Sequence, residues 1–407
     1  MKERQLSGSA VQFGAGNIGR GFLAQLFTES GLEVVFVDVA APIVEALNGR
    51  GGYPLHIVGD SPETIAIRNV RAVHGADTDR VTEEIVRAEI LCTAVGAGAL
   101  PHVAPAIARG LLARYRVGRA PVNILLCENL HDAAARLREL VAALLPPEDC
   151  ADILRRTGFV QAVVSRMVPV QTVAERAEDI LAVRAEAYKR LPVDGRAVVG
   201  SLPEIAGIEP THRFDALVER KLYTHNCAHA VLGYLGCMTG HTYGYEALAD
   251  IRIASLLRAV LAETSEALIR KHGFSREEQD GHVEELLARF RNQALGDTCR
   301  RLAKDPLRKL APGDRLTGAA RLCESQGVEP RALAWAIVAA LRHEDEDDPS
   351  ACEMQRILRE AARDGAIQQI CGIDPAEPLA ALVREAFETT EPPRAGKFSA
   401  RDFSPTN

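Results

Sequence analysis

The stretch that decides the fold is residues 10–39, AVQFGAGNIGRGFLAQLFTESGLEVVFVDV. Two runs rich in β-branched and other apolar residues, 10–15 and 33–39, lie at its two ends. Between them, apolar residues recur at the spacing of a helix that packs one face against a sheet. A strand, a helix and a second strand in this order predict a βαβ unit.

The turn between the first strand and the helix carries three closely spaced glycines. Gly14 permits a tight turn, Gly16 lets the main chain approach a pyrophosphate, and Gly19 allows close packing of helix on strand. The free N–H groups at the start of the helix favour an anion. The predicted dinucleotide-binding residues of this turn are Gly14, Gly16, Asn17, Ile18 and Gly19. A glycine-rich turn without a ligand is the alternative.

Asp38, at the end of the second strand, indicates which dinucleotide is bound. A carboxylate 19 residues beyond Gly19 can accept hydrogen bonds from both adenosine ribose hydroxyls and repels a 2′-phosphate. The sequence therefore predicts NAD in preference to NADP, and Arg20 could contact a phosphate. Thr93 and Val95, which end a later strand, are predicted to line the same crevice; an ordinary tight turn is the alternative.

The rest of the chain completes the predicted fold class, which is α/β. Strand-like runs at 89–95 and 122–127 continue the alternation of a Rossmann-type doubly wound parallel sheet. From residue 213 onward helical periodicity replaces the strand signals and predicts a mainly α-helical C-terminal domain. The predicted parts are an NAD-binding domain over 1–200, a helical substrate and catalytic domain over 201–390, and a flexible tail over 391–407.

The composition excludes several classes of protein. The 407 residues are 47% hydrophobic, which is enough to form folded cores. The net charge is −7 and the sequence has no long basic run, which argues against binding to nucleic acid. No apolar stretch is long enough to span a bilayer and no secretory leader is recognisable, so we expect a cytoplasmic protein. Nine scattered cysteines without a Cys-x-x-Cys pair indicate reduced thiols.

A group of polar residues stands on an otherwise apolar helix within 219–232. At ~100° per residue they fall at about 0, 40, 80 and 140° around the helix axis: Lys221, His225, His229 and Asn226. Because burying unpaired polar groups costs about 1–3 kcal/mol each, the cluster indicates a substrate pocket. A buried lysine can accept a proton, and an asparagine can donate to a developing alkoxide. A solvated helix face, or a zinc site on the two histidines, are the alternatives.

These motifs resemble those of the polyol-specific long-chain dehydrogenases, the mannitol dehydrogenase family. The resemblance spans about residues 10–390 and rests on FGAGNIGRGF at 13–22, CENL at 127–130, ERKL at 219–222 with Asn226 and His229, DPLRKL at 305–310, DRL at 314–316 and EDEDDP at 344–349. It implies a metal-independent enzyme that interconverts D-mannitol 1-phosphate and D-fructose 6-phosphate with NAD.

The resemblance also implies a role for each residue of the catalytic group. Lys221 is the general acid/base on the reacting oxygen. Asn226 and Asn129 stabilise the developing alkoxide, and His229 orients Lys221 or the substrate oxygen.

The substrate phosphate needs cations of its own. A dianion requires charge-assisted donors, so the predicted ligands are Arg308, Lys309 and Arg315. A surface helix end is the alternative for these three residues. The active site is expected in the cleft between the two domains.

Some positions depart from the family pattern: Ser165, Arg190, Leu191, Val199 and His225. Several could border the substrate cleft, so another phosphorylated polyol, a keto sugar, a uronate or a cyclitol is an alternative substrate. A non-catalytic NAD-binding sensor is a third hypothesis, against which the retained lysine and asparagines argue. The expected partner is the small sugar-phosphate or polyol-phosphate substrate, without nucleic acid or membrane, bound by a monomer or small homo-oligomer.

Overall fold

The computed structural model describes residues 8–130 and 132–388. The chain divides into two compact units, with the boundary after Leu217. The sequence placed this boundary at residue 200, and the segment 201–217 belongs to the first unit. The tail predicted over 391–407 lies outside the described residues.

The first unit is built on a six-stranded sheet. Its strands, with those of two smaller sheets, are β1 Ser9–Phe13, β2 Glu33–Asp38, β3 Gly52–Ile57, β4 Glu63–Arg68, β5 Val70–His74, β6 Ile90–Thr93, β7 Val122–Leu126, β8 Thr157–Gln161, β9 Val183–Ala185, β10 Leu191–Asp194 and β11 Ile208–Thr211. The large sheet has the order β5-β2-β1-β6-β7-β8, and all its neighbours are parallel. This is the strand order of a doubly wound dinucleotide-binding sheet, so the predicted fold class is confirmed here.

Helices cover both faces of this sheet. They are α1 Ala24–Glu29, α2 Ala41–Arg50, α3 Thr78–Arg87, α4 Leu100–Arg116, α5 Ala133–Ala142 and α6 Pro147–Arg155. A further short helix, α7 Val173–Glu178, has no buried residue. In β2, Val34 and Phe36 belong to one buried apolar cluster, whereas Val35 and Val37 belong to the other. A strand buried on both faces reads as one continuous apolar run, which is why the sequence pattern revealed it.

The two smaller sheets have the orders β4-β3-β9 and β10-β11, and the sequence did not predict them. Ile67 is the one buried residue of β4. A strand this exposed carries no apolar run by which to find it.

The second unit is helical, as predicted. Its helices, the first of which crosses the boundary, are α8 Phe214–Arg220, α9 Cys227–Met238, α10 Gly244–Ala249, α11 Ile251–His272, α12 Arg276–Phe290, α13 Cys299–Ala303, α14 Pro306–Leu310, α15 Thr317–Ser325, α16 Arg331–Leu341, α17 Pro349–Glu360, α18 Arg363–Cys371 and α19 Pro378–Glu388. The central helix is α9, which packs against α11, α13 and α16. Most of its residues are buried, so it offers a rigid support for a site.

All nine cysteines are free thiols, and six of them are buried. They act as small apolar core residues. None of the helices in the described ranges combines the length and the apolar character needed to cross a bilayer.

Candidate active site

The glycine-rich turn follows β1 at the point where the strand order of the sheet reverses. Gly14 has φ +92°, and its N–H donates to Val37 O at 2.9 Å. A Cβ on Gly14 would lie 2.5 Å from Ala94 O, and a Cβ on Gly19 would clash with Gly14 O. Gly16 is exposed, and a Cβ there would meet nothing within 4 Å. Gly14 and Gly19 are thus required by the fold, whereas Gly16 leaves space for a ligand.

Asp38 ties the end of β2 to this turn. Its Oδ2 accepts a hydrogen bond from Ala15 N at 2.7 Å, and its Oδ1 accepts one from Ala40 N at 2.9 Å. These bonds fix the carboxylate, and each oxygen keeps a further lone pair for a ribose hydroxyl. Asp38 therefore lies where the sequence predicted it.

Arg20, for which the sequence left a phosphate contact open, has its side chain engaged within the protein. Its side chain is buried, and Nε donates to Ala15 O at 2.6 Å. Nη1 donates to the carbonyls of Ile180 at 3.0 Å and Leu181 at 2.6 Å. The guanidinium thus connects the glycine-rich turn to the segment 180–181. Arg20 itself lies in the π-helical turn Gly19–Leu23, which precedes α1.

The other predicted cofactor residues lie at or just beyond the ends of β1 and β6, but Thr93 does not line an open crevice as the sequence predicted. Asn17 donates from Nδ2 to Pro169 O at 3.4 Å, and Ile18 packs partly against the core. Thr93 is fully enclosed, and among the described residues its hydroxyl has no hydrogen-bond partner. Val95 follows β6, and its N–H donates to Glu128 at 3.0 Å. The contacts of these residues with a cofactor stay predictions.

Lys221–Asn226 forms a π-helical turn between α8 and α9. The N–H of Cys227 donates to Leu222 O, five residues back. At roughly 80° per residue in such a turn, Asn226 comes back to within about 40° of Lys221 instead of about 140°. His229, one α-helical turn further on, lies on the same side. The α-helical arithmetic of the sequence prediction was wrong here, and the π-turn brings the predicted residues closer together.

Lys221 is partly buried, and its pKa is lowered to about 8. Burial is the larger cause, because it disfavours the ammonium, and the positive charge of Arg315 adds to it. A lysine with this pKa can exchange a proton near neutral pH.

His229 and His225 form an aromatic group with Phe290. The ring of His229 stacks on Phe290 with centroids 4.2 Å apart, and the ring of His225 meets that of His229 edge-on at 4.7 Å. Burial holds the pKa of both histidines well below the usual value, so both are neutral at pH 7. Within the described ranges, no three His, Cys, Asp or Glu residues are grouped to hold a metal ion.

The three cations predicted for the phosphate differ in their surroundings. Arg308 is exposed and pairs with Asp305 at 2.5 Å. Lys309 is 5% exposed and donates to Leu302 O at 2.5 Å. Arg315 is 8% exposed and donates from Nε to Asp314 at 2.8 Å, and in the described part of the chain its terminal nitrogens make no hydrogen bond. Arg315 is therefore the cation best placed to receive an anion.

Sequence reasoning missed residues that hold these groups in place. Asp348, within the EDEDDP motif, accepts a hydrogen bond from Asp305 N at 2.6 Å and thereby fixes the start of α14. Phe290 was read as part of a helix, without a role at the site. An Asp-Pro pair before a helix was the available signal for Asp348, because it marks a helix start.

Three of the positions that depart from the family pattern serve the first unit itself. Arg190 pairs with Glu209 at 2.8 Å on the surface. Leu191 is fully buried in β10. Val199 exchanges two hydrogen bonds with the side chain of Asn123, at 2.9 and 3.0 Å. These contacts account for the residues as packing and surface features.

Comparisons with known families and curated proteins point in one direction. The model described as the mannitol dehydrogenase Rossmann domain matches residues 8–207, and that of the mannitol dehydrogenase C-terminal domain matches 213–380. A mannitol-1-phosphate 5-dehydrogenase of Brevibacillus brevis (strain 47) is 38% identical over 376 residues, covering 92% of this chain and 96% of the relative. One from Arthrobacter sp. (strain FB24) is 39% identical over 381 residues, covering 93% and 97%.

Solved structures share the fold. The ternary complex of Pseudomonas fluorescens mannitol 2-dehydrogenase with NAD and D-mannitol gives a TM-score of 0.74 at 18% identity, covering 94% of this chain and 91% of that chain. A substrate-free D-sorbitol dehydrogenase gives a TM-score of 0.79 at 18% identity, covering 94% and 93%.

Proposed function

The chain belongs to the mannitol dehydrogenase family and is a dehydrogenase, and on that premise we propose that it interconverts D-mannitol 1-phosphate and D-fructose 6-phosphate with NAD. Lys221 serves as general acid and base. The observation that carries the proposal is a partly buried lysine of lowered pKa on a π-turn that brings Asn226 and His229 to its side. The names of the two curated relatives support the choice of substrate.

The first unit would hold the cofactor. NAD, when bound, supplies a hydride acceptor for the alcohol. The open face of Gly16 and the start of the following helix suit its pyrophosphate. The carboxylate of Asp38 suits the adenosine ribose and disfavours a 2′-phosphate, which supports NAD over NADP.

The second unit would supply the proton chemistry. In the oxidation direction, the neutral amine of Lys221 takes the proton of the reacting hydroxyl, and hydride leaves the carbon that bears this hydroxyl. The amide of Asn226 donates a hydrogen bond to the oxygen as negative charge develops on it, and Asn129, a residue of the first unit, is proposed as a second donor. His229, held against Phe290, keeps the amine or the oxygen in orientation. In the reduction direction, the ammonium of Lys221 returns the proton.

The phosphate of the substrate is assigned first to Arg315. Its guanidinium is largely removed from water and has terminal N–H groups to offer, so it can take a phosphate in a bidentate manner. Arg308 adds positive charge on the neighbouring helix α14. Burial lowers the pKa of Lys309 to about 7, so the positive charge of Lys309 is lost as pH rises above that value.

Opposite pH profiles are expected for the two directions of the reaction. Oxidation needs the neutral amine of Lys221, so kcat/KM for mannitol 1-phosphate should fall as pH drops below about 8. Reduction needs the ammonium, so kcat/KM for fructose 6-phosphate should fall as pH rises above about 8. Initial rates at saturating cofactor from pH 6 to 10 measure both limbs. Parallel profiles in the two directions would contradict the assignment.

A matched pair of arginine variants tests what lowers the pKa of Lys221. Because the charge of Arg315 contributes to the lowered pKa, Arg315→Gln should move the inflection of the oxidation profile to higher pH. It should also raise KM for the phosphorylated substrate. Arg308→Gln should leave the inflection in place, since Arg308 is not among the groups that shift this pKa. Equal movement in both variants would refute a specific effect of Arg315.

The decisive test of the substrate is to assay a panel of candidate sugars and sugar phosphates, with the reaction monitored by NADH absorbance. Fructose 6-phosphate should be reduced with a kcat/KM at least about 100-fold above that of fructose, because the charge-assisted phosphate contacts are lost with fructose. Inorganic phosphate should inhibit competitively against fructose 6-phosphate. Faster turnover of an unphosphorylated sugar, a uronate or a cyclitol would replace the proposed substrate while leaving the reaction class intact.

A further inference from the structure

We propose that Glu128 is a positioning residue whose buried carboxylate holds the loop after β6 and fixes the start of the segment that carries Asn129 beyond the end of β7. The inference deepens the proposed function, since it concerns the residue proposed there as a donor to the reacting oxygen. Glu128 lies in the quoted segment CENL at 127–130, but neither its chemistry nor its spacing gave it a role in the sequence.

The carboxylate of Glu128 is engaged at both oxygens. Oε1 accepts a hydrogen bond from Val95 N at 3.0 Å, and Oε2 accepts one from Gly96 N at 2.8 Å. The residue is 6% exposed. Two successive main-chain N–H groups thus converge on the carboxylate, one on each oxygen, and hold it in place.

The shape of the loop is matched to this contact. Gly96 has φ +87°, a conformation that residues with a Cβ rarely adopt, although a Cβ there would meet nothing within 4 Å. The glycine is thus required by the direction of its main chain, which turns the loop directly after the residue whose N–H donates to Glu128.

The contact lies just beyond the last rung between two neighbouring strands. The N–H of Cys127 donates to Thr93 O at 2.9 Å, which extends the pairing of β6 with β7 past the end of the ladder. Glu128 directly follows Cys127 beyond the end of β7, and Val95 and Gly96 lie two and three residues beyond Thr93, the last residue of β6. The carboxylate of Glu128 therefore continues the connection between β6 and β7 into the loops that follow them, and Asn129 is the next residue of the chain.

Glu128→Gln is the sharpest probe because it changes the hydrogen bonding without changing the size of the side chain. A glutamine has one acceptor oxygen and one NH2 donor, so it can satisfy one of the two N–H groups and turns a donor toward the other. We expect kcat to fall about tenfold, because a donor misplaced by a fraction of an ångström loses its effect on the transition state.

A double-mutant cycle with Asn129→Ala separates positioning from general damage to the fold. If Glu128 acts through Asn129, then Glu128→Gln should change kcat less than about twofold in the Asn129→Ala background. Equal fold losses in both backgrounds, or an unchanged kcat in Glu128→Gln alone, would overturn the inference. If Asn129→Ala alone leaves kcat unchanged, the proposed role of Asn129 fails, and the inference fails with it while the rest of the proposed function stands.

Glu128→Asp provides a second test that keeps the charge. The side chain is one methylene shorter and cannot reach both N–H groups, so kcat should again fall about tenfold and the loss should again depend on Asn129. Full activity in this variant would mean that charge alone matters and would overturn the positioning role. Thermal unfolding of each variant identifies any that fail to fold, and the cycle is then closed with the other substitution.

Discussion

Replacing Lys221 by alanine should lower kcat by about 10²–10⁴ in both directions while NADH still binds with unchanged affinity. The proposed proton transfer depends on an amine whose pKa burial and Arg315 have lowered to about 8. Water cannot replace it, since it is a much weaker base than the neutral amine. NADH binding is expected to persist because the turn assigned to the cofactor belongs to the first unit. Steady-state rates measure kcat, and a fluorescence titration with NADH measures the affinity for the cofactor separately.

Lys304→Ala is the matched control for this substitution. Lys304 is exposed and follows α13, outside the group of residues assigned to the substrate or cofactor. It should leave kcat within about twofold of the unaltered enzyme, as surface substitutions away from special features do. Addition of methylamine should restore part of the activity of Lys221→Ala and should leave the activity of Lys304→Ala unchanged. Turnover in Lys221→Ala within threefold of the unaltered enzyme would dismiss the lysine as acid and base.

The sequence predicted the fold where burial leaves a continuous or periodic apolar pattern. β1, β2, β6 and β7 are enclosed on both faces, so each shows as an apolar run. By contrast, β4 is mostly exposed and pairs through its main chain, which every sequence can do. The small sheets therefore depend on tertiary context that no local pattern records.

The candidate site residues were chosen by residue type and not by geometry, and their roles stay predictions. Lys221, Asn226 and His229 were identified because polar residues stand on an apolar helix, yet their angles assumed an α-helix. A π-helical turn has one more residue per turn than an α-helix but no characteristic sequence pattern, so the residues 221–226 gave no sign of it. Arg315 adjusts the pKa of Lys221 although the two residues are far apart in sequence. Such pairing follows from the packing of the second unit alone.

The largest effects on the first unit are expected from two alanine substitutions in the glycine-rich turn, made for opposite reasons. In Gly19→Ala, the new Cβ would clash with Gly14 O, a main-chain atom that cannot turn aside. Overpacking of this kind costs about 1–3 kcal/mol or more. Tm should therefore fall by several degrees, and NADH binding should be lost because the turn itself is displaced.

Gly16→Ala should separate the two functions of the turn. A Cβ on Gly16 meets nothing within 4 Å, so Tm should stay within about one degree of the unaltered protein. The same Cβ would occupy the space that the proposed pyrophosphate needs, so the Kd for NADH should rise at least about tenfold. Calorimetry and NADH titration of both variants test the pair. If Gly16→Ala binds NADH as tightly as the unaltered protein, the open face of Gly16 is not the phosphate site. Unaltered Tm in Gly19→Ala would instead show that the turn can yield, and the physical reason given for its third glycine would be lost.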